Sequence, residues 1–303
     1  MREALPSTHD AIKPWPSVVR LAFVIACLAI GVALVATALP AGQLPQQTTA
    51  PAAAAVWRIA GEAVQGGLLF GTAAPGTRAL TLDGQPVRLA GDGRFLIGFG
   101  RDATSGTLAA TLADGSTAAR AIVVKPRQWR IESIPSLAQS TVDDPVYDAR
   151  RAIEVARIAA ARAGVSDETG WTQAFAWPAH GRVSGVYGSQ RILGGVPKSP
   201  HYGVDVAAKA GTPVLAPADG VVRFADGPLL LEGNLVMLDH GHGLVSAFLH
   251  LSRLDVHEGD HVRRGDRLGL VGKTGRATGP HLHWAMNWGS VRVDPQLLAV
   301  GEP

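Results

Sequence analysis

Two histidines separated by one residue, His281 and His283, place the tightest constraint on the fold of this 303-residue chain. In a β-strand, alternate residues share a face and lie about 6.6 Å apart, so both imidazoles would project from one side of the sheet. A second pair, His201 and Asp205, stands eighty residues upstream. Candidate ligands for one metal ion therefore come from two distant stretches that the fold must bring together.

The upstream pair can share an ion only if the chain bends between its members. Residues i and i+4 of a straight strand lie about 13 Å apart, whereas bonds from zinc to protein ligands are about 2.0 to 2.2 Å long. Pro200 and Gly203 permit a bend, and the β-branched Val204 and Val206 disfavour a helical turn. Imidazoles and a carboxylate suit zinc, and a catalytic zinc uses three protein ligands and a water. The pattern therefore indicates a zinc hydrolase.

The composition predicts a folded, mainly β protein of about two domains. Hydrophobic residues make up 47% of the chain and charged residues 17%, while 36 glycines and 20 prolines indicate many turns. A net charge of +3, without a Lys/Arg cluster or an aromatic ladder, argues against nucleic acid as a partner. The single cysteine, Cys27, excludes an intrachain disulfide and a cysteine-based zinc site.

An apolar run near the N-terminus predicts a transmembrane helix. Residues 21–39 are almost entirely apolar and long enough to cross a bilayer, and no charged residue occurs between Leu21 and Trp57. Arg20 precedes the run, so the positive-inside rule leaves residues 1–20 in the cytoplasm and places the rest of the chain outside. We therefore expect a single-pass protein of the cytoplasmic (inner) membrane with a periplasmic or otherwise extracytoplasmic bulk.

Two alternatives to a retained signal anchor follow from small residues in the same region. Ala36, Thr37 and Ala38 form a small-residue cleavage pattern, so a removable signal peptide would release a secreted protein. The twenty-residue lead and the length of the apolar run favour the anchor. The residues before Cys27 resemble a lipoprotein cleavage box, but only about six apolar residues precede them, which disfavours lipidation.

Beyond the anchor, residues 40–55 are rich in Gln, Thr, Pro and Ala and are predicted to be a linker. Residues 56–130 then alternate short β-type runs with turns such as Asp83-Gly84 and Asp92-Gly93, which predicts a small β-sandwich-like domain. This region has no histidine or cysteine. We interpret it as a spacer or a binding module.

A connecting helix over 144–163 is predicted within a second linker, residues 131–174. Pro145 stands near its start and Gly164 ends it. Four apolar residues are expected on or near one stripe: Val146, Ile153, Val155 and Ile158. The rest of the helix surface carries four arginines: Arg150, Arg151, Arg157 and Arg162. We expect it to be a solvated face, with a contact to anionic glycan or lipid as the alternative.

The C-terminal segment, residues 175–303, is predicted to be a compact antiparallel-β domain. Glycine-containing turns separate short β-type runs at 212–215, 220–224, 234–238, 244–249, 268–271 and 281–288. Nine of the ten histidines lie between His180 and His283, so the chemistry is expected there. His240 and His242 are predicted in a hairpin turn, His257 and His261 in an exposed loop, and His180 at the domain entry.

Short motifs recur in one order along this domain: GVYG at 185–188 with Arg191, HYGVD at 201–205, GTPVLAP at 211–217, DHG at 239–241, HLS at 250–252, GKTG at 272–275 and TGPHLH at 278–283. Together they closely resemble the lysostaphin and LytM-type zinc endopeptidases, which cut the peptide part of peptidoglycan. The resemblance implies that His201, Asp205 and His283 bind one zinc ion. It also implies that His281 and His250 form the catalytic pair beside the ion, and which of them is the base stays open.

The resemblance also raises points on which this chain could differ. Tyr187 and Arg191 match a region that forms a wall of the family's substrate groove, although packing in a turn is equally compatible. Phe248 replaces a usual tyrosine, and Ala285 replaces a frequent acidic residue. Neither change removes a ligand.

Three functions compete at this point. The first is an active zinc endopeptidase that binds peptidoglycan peptides as its partner and substrate. The second is a non-catalytic LytM-type regulator that binds and activates cell-wall amidases, and the third is a membrane-tethered glycan-binding module with incidental histidines. Regulators of this type typically lack part of the His/Asp/His set and often carry long coiled coils. The complete set and the single short helix favour the enzyme.

Overall fold

The computed structural model describes residues 56–135 and 144–303. The predicted transmembrane segment 21–39, its cytoplasmic flank 1–20 and the linker 40–55 lie outside the described residues. Within the two described ranges, no helix is both long and apolar enough to cross a bilayer.

The N-terminal described region consists of short antiparallel strands in two sheets. Its strands are β1 (Trp57–Ala60), β2 (Leu68–Ala73), β3 (Thr77–Leu82), β4 (Gln85–Val87), β5 (Arg94–Gly98), β6 (Ser105–Leu112) and β7 (Thr117–Val123). One sheet has the order β1-β2-β5 and the other β4-β3-β6-β7. Both contribute to one apolar cluster, which includes Trp57, Phe95 and Ile97 from the first sheet and Leu80 and Leu108 from the second.

A single long helix, α1 (Pro145–Ala163), follows the short strand β8 (Ile131–Ile134). The Asp144 carboxylate accepts hydrogen bonds from the N–H groups of Val146 and Tyr147, which caps the helix, and Pro145 occupies a position that needs no donor. The helix ends before Gly164.

The predicted apolar stripe of α1 is wrong. Val146, Ile153 and Val155 are exposed, and of the four expected residues only Ile158 is buried. The other buried residue of the helix is Glu154, whose carboxylate accepts the N–H of Leu230. The helix therefore docks through one apolar contact and a buried, hydrogen-bonded carboxylate.

Of the four arginines of α1, Arg150 and Arg157 are exposed as predicted, whereas Arg151 and Arg162 are half-buried. Arg150 and Arg151 pair with Glu154. Arg151 in addition pairs with Glu232, and Arg157 pairs with Asp226, so both reach the sheet beneath the helix. The pairs of Arg151 with Glu232 and of Arg157 with Asp226 attach the helix to the C-terminal region, because both acidic residues lie there.

The C-terminal region is almost entirely β. Its strands are β9 (Phe175–Ala176), β10 (Arg182–Gly185), β11 (Gln190–Leu193), β12 (Val196–Pro197), β13 (Val204–Ala207), β14 (Pro213–Leu215), β15 (Gly220–Leu229), β16 (Gly233–Asp239), β17 (Leu244–Leu251), β18 (Arg253–Leu254), β19 (His261–Val262), β20 (Arg267–Leu270), β21 (Leu282–Trp288), β22 (Val291–Val293) and β23 (Ala299–Val300). An 8-stranded sheet has the order β10-β13-β21-β17-β16-β15-β19, with β22 added to β21. Smaller sheets are β14-β20-β18, β12-β11-β8 and β23-β9. Within the described residues, the prediction of a mainly β protein with a connecting helix is confirmed.

The two faces of the large sheet have different surroundings. On β21, alternate side chains enter the main apolar core: Leu282, Trp284 and Met286. Residues of neighbouring strands on the opposite face form a smaller cluster beneath Ile158 of α1: Phe224, Leu229, Leu235, Met237 and Val245. His283, Ala285 and Asn287 share that second face by the two-residue period of the strand. The histidine motif is therefore beside the helix-covered part of the sheet.

Candidate metal centre

Strand pairing brings Asp205 and His283 together. They are direct cross-strand partners on β13 and β21, where opposed side chains lie about 5 Å apart. The chain bends at Gly203, just before β13, and returns His201 to the same place. A Cβ atom at Gly203 would lie 2.6 Å from the His283 Nε2 atom, so the close approach requires glycine.

Three potential ligand atoms converge in this corner. The His201 Nε2 atom lies 3.1 Å from the Asp205 Oδ1 atom and 3.0 Å from the His283 Nδ1 atom. The His283 Nδ1 atom lies 2.8 Å from the same Asp205 oxygen. Ligand atoms of a tetrahedral zinc site lie about 3.3 Å apart when each is about 2.0 Å from the ion. The triangle therefore fits zinc after an expansion of a few tenths of an ångström.

The protonation pattern of the three residues also fits a cation. Burial would lower the pKa of His201, but the hydrogen bond and charge of Asp205 raise it. Burial opposes ionisation of Asp205, yet hydrogen bonds from both histidines hold the pKa of its carboxyl well below the ordinary value. Burial lowers the pKa of His283. The site thus holds an ionised carboxylate among imidazoles.

An outer hydrogen bond orients His201. Its Nδ1 atom lies 3.1 Å from the carbonyl oxygen of Val186, and a carbonyl can only accept, so Nδ1 carries the proton. Without a metal ion, a proton on Nε2 makes the hydrogen bond to Asp205, and a bound ion would take the place of that proton. Such outer contacts commonly fix the tautomer and ring orientation of metal-binding histidines.

His250 and His281 stand beside the three ligand candidates. The ring centroid of His250 lies 4.9 Å from that of His281 and 6.2 Å from that of His283. Their Nδ1 atoms donate to the carbonyl oxygens of Thr274 and Gly279, each at 2.8 Å. In the neutral ring, each therefore keeps an unprotonated Nε2, and that of His281 lies 3.8 Å from the Asp205 Oδ1 atom. The structure brings together all five residues that the sequence predicted.

The backbone of His250 is unusual. Its φ is 65°, in the left-handed region, which few non-glycine residues adopt and which often occurs at functional sites. The backbone N–H of His250 donates to the Glu232 carbonyl, which anchors this end of β17. Burial lowers the pKa of the ring to about 4, so His250 is neutral at pH 7. The sequence contains no signal for this conformation.

Among the other histidines, His240 and His242 lie in the connection between β16 and β17, as predicted. His240 is also fully buried, and its ring is satisfied there because its Nδ1 atom donates to the Asp219 carbonyl and its Nε2 atom accepts from the Ser246 hydroxyl. His242 stacks on Trp171, with ring centroids 4.2 Å apart. The other three histidines among the described residues are exposed: His180, His257 and His261.

Two residues near the site differ in burial. Tyr187 is buried and its hydroxyl donates to the Arg292 carbonyl, whereas Arg191 is exposed and pairs with Glu132 of β8. The Arg292 guanidinium lies 4.4 Å from the ring centroid of Tyr202, the neighbour of His201. Sequence reasoning missed Arg292, because no local pattern distinguishes it from other arginines.

Comparison with known proteins identifies relatives of the C-terminal region. Residues 199–295 match the family model described as Peptidase family M23. The DD-carboxypeptidase/endopeptidase Mpg of Neisseria meningitidis serogroup B is 45% identical over 103 residues, which are 34% of this chain and 24% of that protein. Peptidoglycan DD-endopeptidase ShyA of Vibrio cholerae is 46% identical over 88 residues, which are 29% of this chain and 20% of that protein.

A solved structure extends the similarity beyond the site. A crystal structure from Pseudomonas aeruginosa assigned to peptidase M23 superposes with a TM-score of 0.60 at 29% sequence identity. The match covers 78% of this chain and 95% of that one. By contrast, the chain spans about a quarter or less of the length of the two curated relatives.

Proposed function

We propose that this protein is a zinc-dependent endopeptidase that hydrolyses peptide bonds of peptidoglycan stem peptides or crosslinks, because residues 199–295 match the model of peptidase family M23. The observation that carries the proposal is the convergence of His201, Asp205 and His283 with two histidines beside them. The names of the two curated relatives support peptidoglycan as the substrate.

The residues divide the work of hydrolysis. A zinc ion held by His201, Asp205 and His283 would polarise the scissile carbonyl and lower the pKa of a bound water to about 7. His250 is neutral at pH 7, so its Nε2 lone pair can accept the proton of the attacking water. His281, held through its Nδ1 atom by Gly279, is placed to stabilise the oxyanion or to donate to the leaving amine.

We further propose that the catalytic domain acts outside the cytoplasmic membrane. The apolar run at 21–39 and Arg20 before it support a signal anchor with the C-terminal domain in the periplasm or its equivalent. Peptidoglycan lies on that side of the membrane, so the proposed location and the proposed substrate agree. The amidase-activating regulator is disfavoured because the ligand set is complete.

The test uses the purified full-length chain on isolated peptidoglycan. We expect soluble muropeptides, identified by mass, in the presence of zinc and none after chelation. Asp205→Asn serves as the control, since it removes the ionised ligand while keeping the shape of the side chain. A zinc-loaded protein that releases no fragments would instead favour the regulator.

A further inference from the structure

The sheet face that carries His283 continues past the metal centre as a shallow floor. Ala285 and Asn287 follow His283 on the same face of β21, and Ala247 of β17 lies directly opposite Ala285. Arg292 of β22 lies directly opposite Asn287. Because Ala285 and Ala247 have short, uncharged side chains, the floor beside the metal centre is open and carries no carboxylate.

Hydrogen-bond donors without acceptors surround this floor. Asn287 is only 6% exposed, and its Nδ2 atom has no hydrogen-bond partner. The Nε atom of Arg162, in the last turn of α1, is also buried without a partner. Burying an N–H group without an acceptor is unfavourable, so two such groups beside one groove point to an acceptor that comes from a ligand.

Charge at the same place has the sign that suits an anion. Burial and the positive charge of Arg292 both lower the pKa of Arg162, and the charge of Glu232 opposes them. The Arg292 side chain is exposed and extends over Tyr202, next to His201. Two guanidinium groups thus approach the groove from α1 and from β22, and guanidinium groups match carboxylates in geometry and charge.

We propose that Arg162, Arg292 and Asn287 form a carboxylate-binding subsite of the peptidase groove. The inference rests on the proposed function and names a substrate feature for it. Asn287 lies four residues along the strand from His283, about 13 Å away, which is the reach of about four residues of an extended peptide. The recognised carboxylate therefore lies within about four residues of the scissile bond. A free C-terminus and an acidic side chain of the stem peptide present the same chemistry.

Three matched peptides distinguish the sources of the carboxylate. They share the cleaved bond and carry a C-terminal carboxylate, a C-terminal carboxamide, or a C-terminal carboxamide with an acidic side chain at the same distance. With the zinc-loaded full-length protein, we expect kcat/KM for one of the two carboxylate peptides to exceed that for the neutral peptide about tenfold, mainly through KM. The preferred peptide identifies the source.

Variants then assign the effect to the subsite. Arg162→Gln and Arg292→Gln should each reduce the preference to about threefold or less while the neutral peptide is cleaved at nearly the original rate. Ala285→Glu should also abolish the preference, because it supplies an internal carboxylate on the floor. Arg157→Gln is the matched control: this arginine of the same helix pairs with Asp226, and its loss should leave the preference intact.

Two further outcomes separate this inference from the proposed function. Equal cleavage of all three peptides by the unmodified protein, or equal slowing of all three in the arginine variants, overturns the subsite. If no peptide is cleaved, the proposed function fails, and equilibrium binding of the fluorescently labelled peptides decides the subsite. Binding that requires both the carboxylate and the two arginines supports it, whereas equal binding of charged and neutral peptides overturns it.

Discussion

The two faces of the large sheet differ in role: side chains on one face pack in the main core, and side chains of the same strands on the other face form the candidate metal centre. On β21, Leu282, Trp284 and Met286 are fully buried in the main core. Their neighbours on the other face are a ligand candidate, a floor residue and a donor without an acceptor: His283, Ala285 and Asn287. Because the strand period is two, single substitutions one residue apart should give opposite phenotypes. The predictions below test that separation.

The largest effect is expected on the site face. Asp205→Asn should abolish hydrolysis and weaken zinc binding more than about a hundredfold, which exceeds the 10- to 100-fold effect typical of outer hydrogen-bond partners of metal ligands. The metal-free fold should persist, since Asp205 lies outside the apolar core. Zinc titration and thermal unfolding of the same sample measure both quantities. Retention of zinc affinity would show that the face is not a metal centre.

His250→Ala should lower kcat about 10²- to 10⁴-fold, as expected for loss of a general acid or base. Zinc content should remain close to one ion per chain, because His250 is beside the ligand triangle and not part of it. Elemental analysis and kcat measured on one preparation check this. Equal losses of zinc and turnover would make His250 a ligand.

The opposite phenotype is expected one residue from the ligand on β21. Trp284→Ala should reduce the free energy of unfolding by about 3 to 5 kcal/mol, since it removes a fully buried indole from the core. The folded fraction should still bind zinc. Urea unfolding gives the loss, and a change smaller than about 1 kcal/mol would contradict the assignment of this face to the core.

His240 should make the stability of the fold depend on pH. Burial lowers its pKa to about 4, whereas a histidine in the unfolded chain titrates near 6.5. Between these values the unfolded state binds the extra proton, so stability falls as the pH drops from about 6.5 to about 4, by up to roughly 3 kcal/mol. Urea unfolding at pH 7 and pH 4.5 should show a smaller difference for His240→Gln than for the unmodified protein. Equal differences would exclude His240 as the cause.

The smallest effects distinguish the two sides of α1. Ile158→Ala should cost about 2 kcal/mol or more because Ile158 is buried against the site-side face of the sheet. Ile153→Ala should change stability by less than about 0.5 kcal/mol, since Ile153 is 63% exposed. Thermal unfolding of the two variants gives a direct comparison, because both replace an isoleucine of the same helix by alanine. Similar losses of stability would support the apolar stripe that the sequence predicted.

Predictions that depend on local sequence patterns were more accurate than predictions that depend on contacts between residues far apart in the sequence. The β-strands near 213–215, 234–238 and 282–288 are local patterns of alternation and turns, and the structure contains them. The resemblance to LytM-type peptidases could be recognised because its motifs are also local, and the family match confirms it. The transmembrane segment at 21–39 stays a prediction.

Features set by distant contacts could not be predicted. The buried face of α1 was misassigned because the carboxylate of Glu154 accepts the backbone N–H of Leu230, 76 residues away, which no helical periodicity reveals. The hairpin position of His240 was predicted, but its burial was not, because its partners, the Asp219 carbonyl and the Ser246 hydroxyl, come from other parts of the chain. The proposed carboxylate subsite joins α1 with the β21–β22 hairpin, two segments far apart in the sequence, so it could be recognised only from the structure.

The most direct test of the central claim is anomalous diffraction at the zinc edge from crystals of the zinc-loaded protein. We predict one ion per chain at about 2.0 to 2.2 Å from the His201 Nε2, Asp205 Oδ1 and His283 Nδ1 atoms, with an open coordination position facing His250 and His281. Zinc bound elsewhere, or a triad whose side chains remain hydrogen-bonded to each other at saturating zinc, would contradict the claim.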